Sequence, residues 1–182
     1  MDFLELETAV LAGMSQGGFL SMRATLLQPD RVKALVLVDS EGSALADDEK
    51  TLYKSLHEAM LENGMSGPLG ETLASFLFAP DYQEVEFWRG KWNSRNPERW
   101  ADATECLFER DDIDNRLPEI KCPALVFHGD SDASIPLERG KRMAELLGGE
   151  TQFIVIEGAG HTPNLEKPEM VNPILLDFLA SL

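Results

Sequence analysis

Apolar residues in this chain come in short unbroken runs rather than in alternation. The runs are Ala9-Val10-Leu11-Ala12, Ala34-Leu35-Val36-Leu37-Val38, Ala124-Leu125-Val126-Phe127 and Phe153-Ile154-Val155-Ile156, and each is ended within two residues by glycine or an acidic residue. Runs of this length with no polar partner side mark strands buried on both faces, so strands are predicted over about residues 8–14, 33–39, 123–128 and 152–156. Helical spacing follows the first, third and fourth of them, predicting helices from about Gln16 to Gln28, from Leu137 to Leu147 before Gly148-Gly149, and from Pro168 to Leu182. Pro173 lies inside the last of these, which predicts a late start or a bend there. Strands alternating with helices give an α/β fold around a parallel sheet of about four strands.

The pattern changes between Gly42 and Pro118. Short amphipathic stretches, Asp47 to Asn63, Leu69 to Leu77 and Tyr82 to Asn93, are interrupted by Gly64, Pro80 and Pro97, and no strand signal occurs. The chain therefore divides into a core segment over 1–42, a helical insertion over 43–118 and a second core segment over 119–182. Trp88, Trp92 and Trp100, with Phe76, Phe78 and Phe87, are expected to form the core of the insertion, one or two of them lining an acyl pocket.

Composition narrows the function classes. A chain of 182 residues with 43% hydrophobic content can build one domain with a real core. The formal charge of -16 argues against nucleic acid or an anionic membrane surface as partner, because neutralising phosphate requires clustered Lys and Arg. Two cysteines, Cys106 and Cys122, make no disulfide framework and suit a reducing compartment. No metal-binding cluster is evident, and no cofactor or metal is expected. The first residues lack a basic region followed by an apolar stretch, and no apolar run approaches the roughly 18 residues a membrane span needs, so a cytoplasmic location is the expectation.

The candidate chemistry sits where the predicted strands end. Gly13-Met14-Ser15-Gln16-Gly17 follows the first apolar run directly and reads as a sharp turn from strand into helix that exposes the Ser15 hydroxyl. Such a turn brings the backbone close to itself, which predicts that small residues are required at Gly13 and Gly17, with Gly18 extending the clearance. The third run breaks at Gly129-Asp130-Ser131-Asp132 and the fourth ends in Gly158-Ala159-Gly160-His161. In a parallel sheet, ligands gather outside the carboxyl ends of the strands, and serine, carboxylates and histidine all reach that edge. His128 and His57 read as packing or surface residues, and Glu166 as a residue that holds the histidine loop by hydrogen bonding.

These pieces together resemble the α/β-hydrolase fold family. The resemblance rests on Gly13-Met14-Ser15-Gln16-Gly17-Gly18, on Pro29-Asp30-Arg31-Val32 with the run after it, on Gly129-Asp130-Ser131-Asp132 with Pro136, and on Gly158-Ala159-Gly160-His161-Thr162-Pro163-Asn164-Leu165-Glu166-Lys167-Pro168. It implies a truncated α/β-hydrolase fold in which the insertion is a cap covering the site. It implies Ser15 as nucleophile, His161 as base, Asp132 as the acid because the acid usually lies three residues after the loop glycine, and the N–H of Gln16 as an oxyanion donor. Asp130, and Asp39 at the end of the second strand, remain alternative acids. The implied activity is hydrolysis of a small carboxylic ester, with lactones, thioesters, diketone carbon–carbon bonds or cofactor-free perhydrolysis as further reactions of the same triad. Met1 to Glu7 resembles the end of the helix before the nucleophile strand, so the earlier strand whose loop gives the second oxyanion donor is expected to be missing. That implies a weak enzyme, with a hydrolase-derived binding or scaffold protein as the alternative.

A strand 8–14 with no upstream neighbour leaves a bare edge, and an apolar face beneath Val10, Leu35 and Leu37 is expected to lie open. A homodimer or higher oligomer through that strand or face is the expected outcome in sedimentation at micromolar concentration. A stable monomer that binds no apolar dye refutes it.

Overall fold

The apolar runs become β1 (Ala9–Met14), β2 (Val32–Val38), β3 (Ala124–Gly129) and β4 (Thr151–Ile156) in a computed structural model. It describes residues 1–64, 67–94 and 98–182, apart from the side chains of 98–102. All pairings are parallel and the strand order is β1-β2-β3-β4, with Leu11 opposite Leu35, Leu35 opposite Ala124 and Val126 opposite Phe153. Every strand boundary falls within one residue of its prediction. The expectations for Pro97 and for the Trp100 side chain lie outside the described residues.

Parallel strands need crossovers, and the crossovers decide which face is covered. Helix α1 (Gln16–Leu27), the 3-10 segment Asp114–Glu119 and α6 (Leu137–Leu146) share one face. There Met22, Leu117 and Met143 close on Leu35, Leu37 and Val126, all almost fully buried. On the other face α8 (Pro168–Ser181), preceded by the single turn α7 (Pro163–Glu166), sets Val171 and Phe178 against Ala34, Val36, Leu125 and Phe127. The expected open face is thus corrected in its residues. Leu35 and Leu37 point to the α1 side and have no exposed surface. Beside β1 on the α8 side stand Val10 and Met14, half-buried, and Ala12, exposed. Alternation along a strand is the reason: Val10 pairs with Ala34 and Leu11 with Leu35, so neighbours in sequence look to opposite faces.

Helix α8 starts at Pro168, within its predicted range and without a late start, and carries Pro173 inside it. Pro168 takes the first helical position, where its missing N–H is no loss. Pro173 has no N–H to give the carbonyl of Glu169, which is an exposed residue.

Helices α2 (Asp47–Asn63), α3 (Gly67–Leu77), α4 (Val85–Asn93) and α5 (Glu98–Phe108) join β2 to β3. Phe78 is buried and stacks on Tyr82 at 4.9 Å and on Trp92 at 5.9 Å between ring centroids. Phe87 departs from its expected place in that core, being 54% exposed with its ring edge-on to Trp88. The two ends of the insertion are fastened by charge. Arg110, after α5, pairs with Glu41, after β2, and both side chains are almost wholly buried. Arg139 of α6 reaches the same carboxylate at 3.3 Å and Glu49 of α2 at 2.8 Å, and Ser43 Oγ donates to Glu41 at 3.0 Å.

The turn between β1 and α1 tests the requirement for small residues. A Cβ on Gly13 would collide with the backbone of Gly17, and one on Gly18 with the Ser40 hydroxyl, whereas one on Gly17 meets nothing within 4 Å. The tight positions are therefore Gly13 and Gly18, and Gly17 is not among them. Gly13→Ala should cost about 2–3 kcal/mol of unfolding free energy. Gly17→Ala, in a helix with open space, should be neutral or stabilising by up to about 1 kcal/mol. Urea titration of the two variants checks the contrast.

Candidate active site

Ser15 lies between the last residue of β1 and the first of α1 with φ 51 and ψ -120, a left-handed backbone that costs a non-glycine residue on the order of 1–3 kcal/mol. The turn is held from both sides. Ser15 N–H donates to Val38 O at 2.8 Å, and Ser15 O accepts from Ser40 Oγ at 2.9 Å and from Gly18 N at 3.0 Å. The Gln16 N–H, first in α1, has no acceptor within the helix and stands at its positive end. The Gln16 side chain turns outward and donates to Ala103 O of α5 at 2.8 Å.

His161 and Asp132 meet at the same edge. His161, 3% exposed, directs Nδ1 to Asp132 Oδ2 at 2.8 Å. The other oxygen of Asp132 accepts from Ser134 N at 2.7 Å and Ile135 N at 3.0 Å. Asp130 points elsewhere: its Oδ1 accepts from Gly158 N at 2.9 Å and Ser131 Oγ at 3.0 Å, tying the β3 loop to the β4 loop. Asp39, buried and at φ 43, accepts from Gly129 N at 2.9 Å. Of the three candidate acids, the histidine is thus bonded to Asp132. Among the described residues Ser15 Oγ makes no hydrogen bond, the bonds of Ser15 being those of its backbone.

The charges sort accordingly. Burial pushes the Asp132 carboxyl up, but the His161 hydrogen bond and charge, together with the Ile135 N–H, outweigh it and hold Asp132 below the usual carboxylate range. Burial also pushes the Asp39 carboxyl up, the Asp132 charge adds to it, and the Gly129 N–H only partly opposes, leaving Asp39 at about 9. His128 is held below the ordinary imidazole value, by burial first. Its Nε2 donates to Ile135 O at 2.9 Å, and Gly140 leaves room for its ring, so His128 is a packed core histidine. His57 lies on α2 edge-on to Phe108. Asp39, Asp132 and His161 bring ligand-type atoms within 4.8 Å of one another, and within that group His161 Nδ1 donates to Asp132 Oδ2, which still has acceptor capacity.

Glu166 holds the histidine loop, and more besides. Its Oε1 accepts from Thr162 N at 3.1 Å and Thr162 Oγ1 at 2.9 Å. Its Oε2 accepts from Gly160 N at 3.1 Å and, across the gap, from Ala79 N at 2.7 Å beyond the end of α3. Ser134 Oγ adds a bond to Phe76 O at 2.8 Å. Sequence reading did not find these ties to the insertion. It also missed the backbone donors to Asp132, whose signal is an aspartate followed two residues later by serine, the pattern of a local side-chain turn.

A sequence profile of the alpha/beta hydrolase fold matches residues 1–168. The chain belongs to the alpha/beta hydrolase fold family. The 2-hydroxy-6-oxo-6-phenylhexa-2,4-dienoate hydrolase of Burkholderia cepacia is 29% identical over all of the chain and 66% of its own length. Carboxylesterase YbfK of Bacillus subtilis (strain 168) is 30% identical over 98% of the chain and 60% of its own length. The chain thus spans just under two thirds of these curated relatives. Among solved structures, a thermophilic esterase from Thermogutta terrifontis superposes with a TM-score of 0.89 at 30% identity, over 99% of this chain and 68% of that one. Among the described residues no helix is long and apolar enough to cross a membrane.

Removing the Glu166 carboxylate leaves the amides of Ala79, Gly160 and Thr162 without their acceptor. Glu166→Ala should therefore lower stability by about 3 kcal/mol. Hydrogen exchange should show protection lost at Gly160, Thr162 and Ala79, while the Gly158 amide on Asp130 stays protected.

Proposed function

We propose that the protein is a serine hydrolase of small carboxylic esters, acting through Ser15, His161 and Asp132 with the Gln16 N–H in the oxyanion site. The observation that carries this reading is the 2.8 Å bond from His161 to Asp132, on the edge where Ser15 is held at a left-handed turn before α1. Ser15 Oγ attacks the ester carbonyl carbon as the free nitrogen of His161 takes its proton. Asp132 fixes the tautomer that leaves that nitrogen free and stabilises the imidazolium that forms. The tetrahedral oxyanion faces the Gln16 N–H, and its collapse expels the alcohol, which receives the proton back from His161. Water then repeats the sequence on the acyl-serine. Helices α2 to α5 act as the cap that selects the acyl group, and the esterases among the relatives support an ester as substrate.

A second reading follows from the relatives named as hydrolases of 2-hydroxy-6-oxo-6-phenylhexa-2,4-dienoate: the same triad would cleave such an oxo-dienoate. Rates on that compound and on a short-chain p-nitrophenyl ester separate the two.

Ser15→Ala should abolish ester hydrolysis and labelling by a fluorophosphonate probe, and His161→Ala should do nearly the same, because members of such a unit are not additive. Asp132→Asn should cost less than either. A folded protein that neither hydrolyses ester nor takes the probe at Ser15 overturns the reading in favour of a binding or scaffold role.

A further inference from the structure

The hydrolase reading uses one buried carboxyl and leaves a second beside it. Asp39 has no exposed side-chain surface, and its Oδ2 is buried with no partner among N–H and O–H donors. His128 Nε2 lies 3.7 Å from Asp39 Oδ1 and 3.5 Å from Asp132 Oδ2, but its one hydrogen goes to Ile135 O. The imidazole therefore supplies neither carboxyl with a proton.

Two carboxylates this close and this dry cannot both be ionised, so one proton must reside on the pair. The donors decide where. Asp132 has three N–H partners, Ser134 N, Ile135 N and His161 Nδ1, all of which favour its charged form. Asp39 has one, Gly129 N, and a second oxygen that nothing satisfies. An O–H on that oxygen gives the buried atom a role and gives Asp132 the acceptor bond its Oδ2 has room for.

We propose that Asp39 is a neutral carboxylic acid that donates a hydrogen bond to Asp132, a positioning residue that keeps the acid of the triad singly charged and aimed at His161. The proposal rests on the serine hydrolase reading above for its catalytic consequence, and on geometry alone for the proton. The groups that face Asp39 are Asp132 and His128 from β3 and its loop, His161 from the β4 loop and Glu166 from α7, with the Gly129 N–H the only donor among the described residues. Burial and the Asp132 charge place its ionisation at about 9, well above neutrality. Above that, a second carboxylate stands against Asp132, the bond between them is lost, and the aim of His161 with it.

The sign of the stability effect follows. Between the ordinary carboxylate value of 3.8 and about 9 the folded protein holds a proton the unfolded chain releases, so Asp39 makes stability fall as pH rises through that window. Asp39→Asn keeps a donor and cannot ionise, so its melting temperature should rise above the wild type's by a margin that widens from pH 5 to pH 8.5.

The deciding experiment compares wild type, Asp39→Asn and Asp39→Ala. With a short-chain p-nitrophenyl ester, wild-type kcat should fall above about pH 9 at constant KM, and Asp39→Asn should lack that fall. At pH 7.5 Asp39→Ala should lose about tenfold in kcat, most of which the asparagine recovers. Infrared difference spectra of wild type against Asp39→Asn should show the carbonyl band of a neutral carboxylic acid at pH 7, shifted in heavy water. An alkaline fall shared by wild type and Asp39→Asn, or a spectrum without that band, overturns the proposal. Absence of ester turnover with the band present refutes the hydrolase reading and leaves the shared proton standing.

Discussion

Parallel pairing in strict chain order forces every strand of this sheet to end on one edge. Four strands run β1 to β4 side by side, so four turns leave from the same rim, and each delivers one polar residue: Ser15 after β1, Asp39 after β2, Asp132 after β3 and His161 after β4. No long-range search by side chains is required to gather them. The apolar runs fix the strands, the strands fix the rim, and residues separated by more than a hundred positions become neighbours because the backbone can pair in no other hand. The same rim then concentrates charge in dry surroundings, which is why one histidine and two carboxyls there divide two protons' worth of chemistry among them.

Strain and charge at this rim are offset by the body around it. Ser15 and Asp39 both sit at positive φ, each at the end of a strand whose partners hold it: Ser15 N on Val38 O, and Asp39 N on Phe127 O at 3.0 Å. The pair Glu41–Arg110 lies just past the same edge, with almost no exposed surface. Removing one partner of such a buried pair costs about 3–5 kcal/mol, because the charge left behind has lost its close counter-charge and has little water to replace it. It joins the entry of the insertion to its exit, and Arg139 with Glu49 extends the joint to α6 and α2. Hydrophobic burial sets the sheet, and this buried charge fixes where the insertion begins and ends.

The strands were legible because a run buried on both faces has no polar alternation, and these runs are short and closed by glycine or an acidic residue. The serine turn was legible because backbone approach demands glycine, though sequence could not say which glycines: Gly18 faces Ser40, while Gly17 faces open space, and only three-dimensional proximity separates them. Leu35 and Leu37 were assigned to the open face because a continuous apolar run carries no mark of which side is which; the register with β1 settles it. Asp132 was the acid that the resemblance implied, with Asp130 and Asp39 as alternatives that sequence left open, and it is Asp132 that His161 Nδ1 meets. Pro173 does not delay the start of α8, because Pro168 ahead of it takes the first helical position, where a proline loses no hydrogen bond.

The seam between the insertion and the rim is made on one side almost entirely of main chain. Ala79 offers its N–H to Glu166, Phe76 its carbonyl to Ser134, and Leu77 its carbonyl to Thr162 at 3.4 Å. Any residue but proline presents the same amide, and every residue presents the same carbonyl. The seam is therefore blind to the side chains of the segment it grips, so far as that segment keeps its path and Gly160 stays small against the backbone of Phe78 and Ala79. Residues on the far side of the insertion can be exchanged without unpicking the stitches that hold the histidine loop. Side-chain variety on the insertion and fixed geometry in the histidine loop are thereby compatible in one chain.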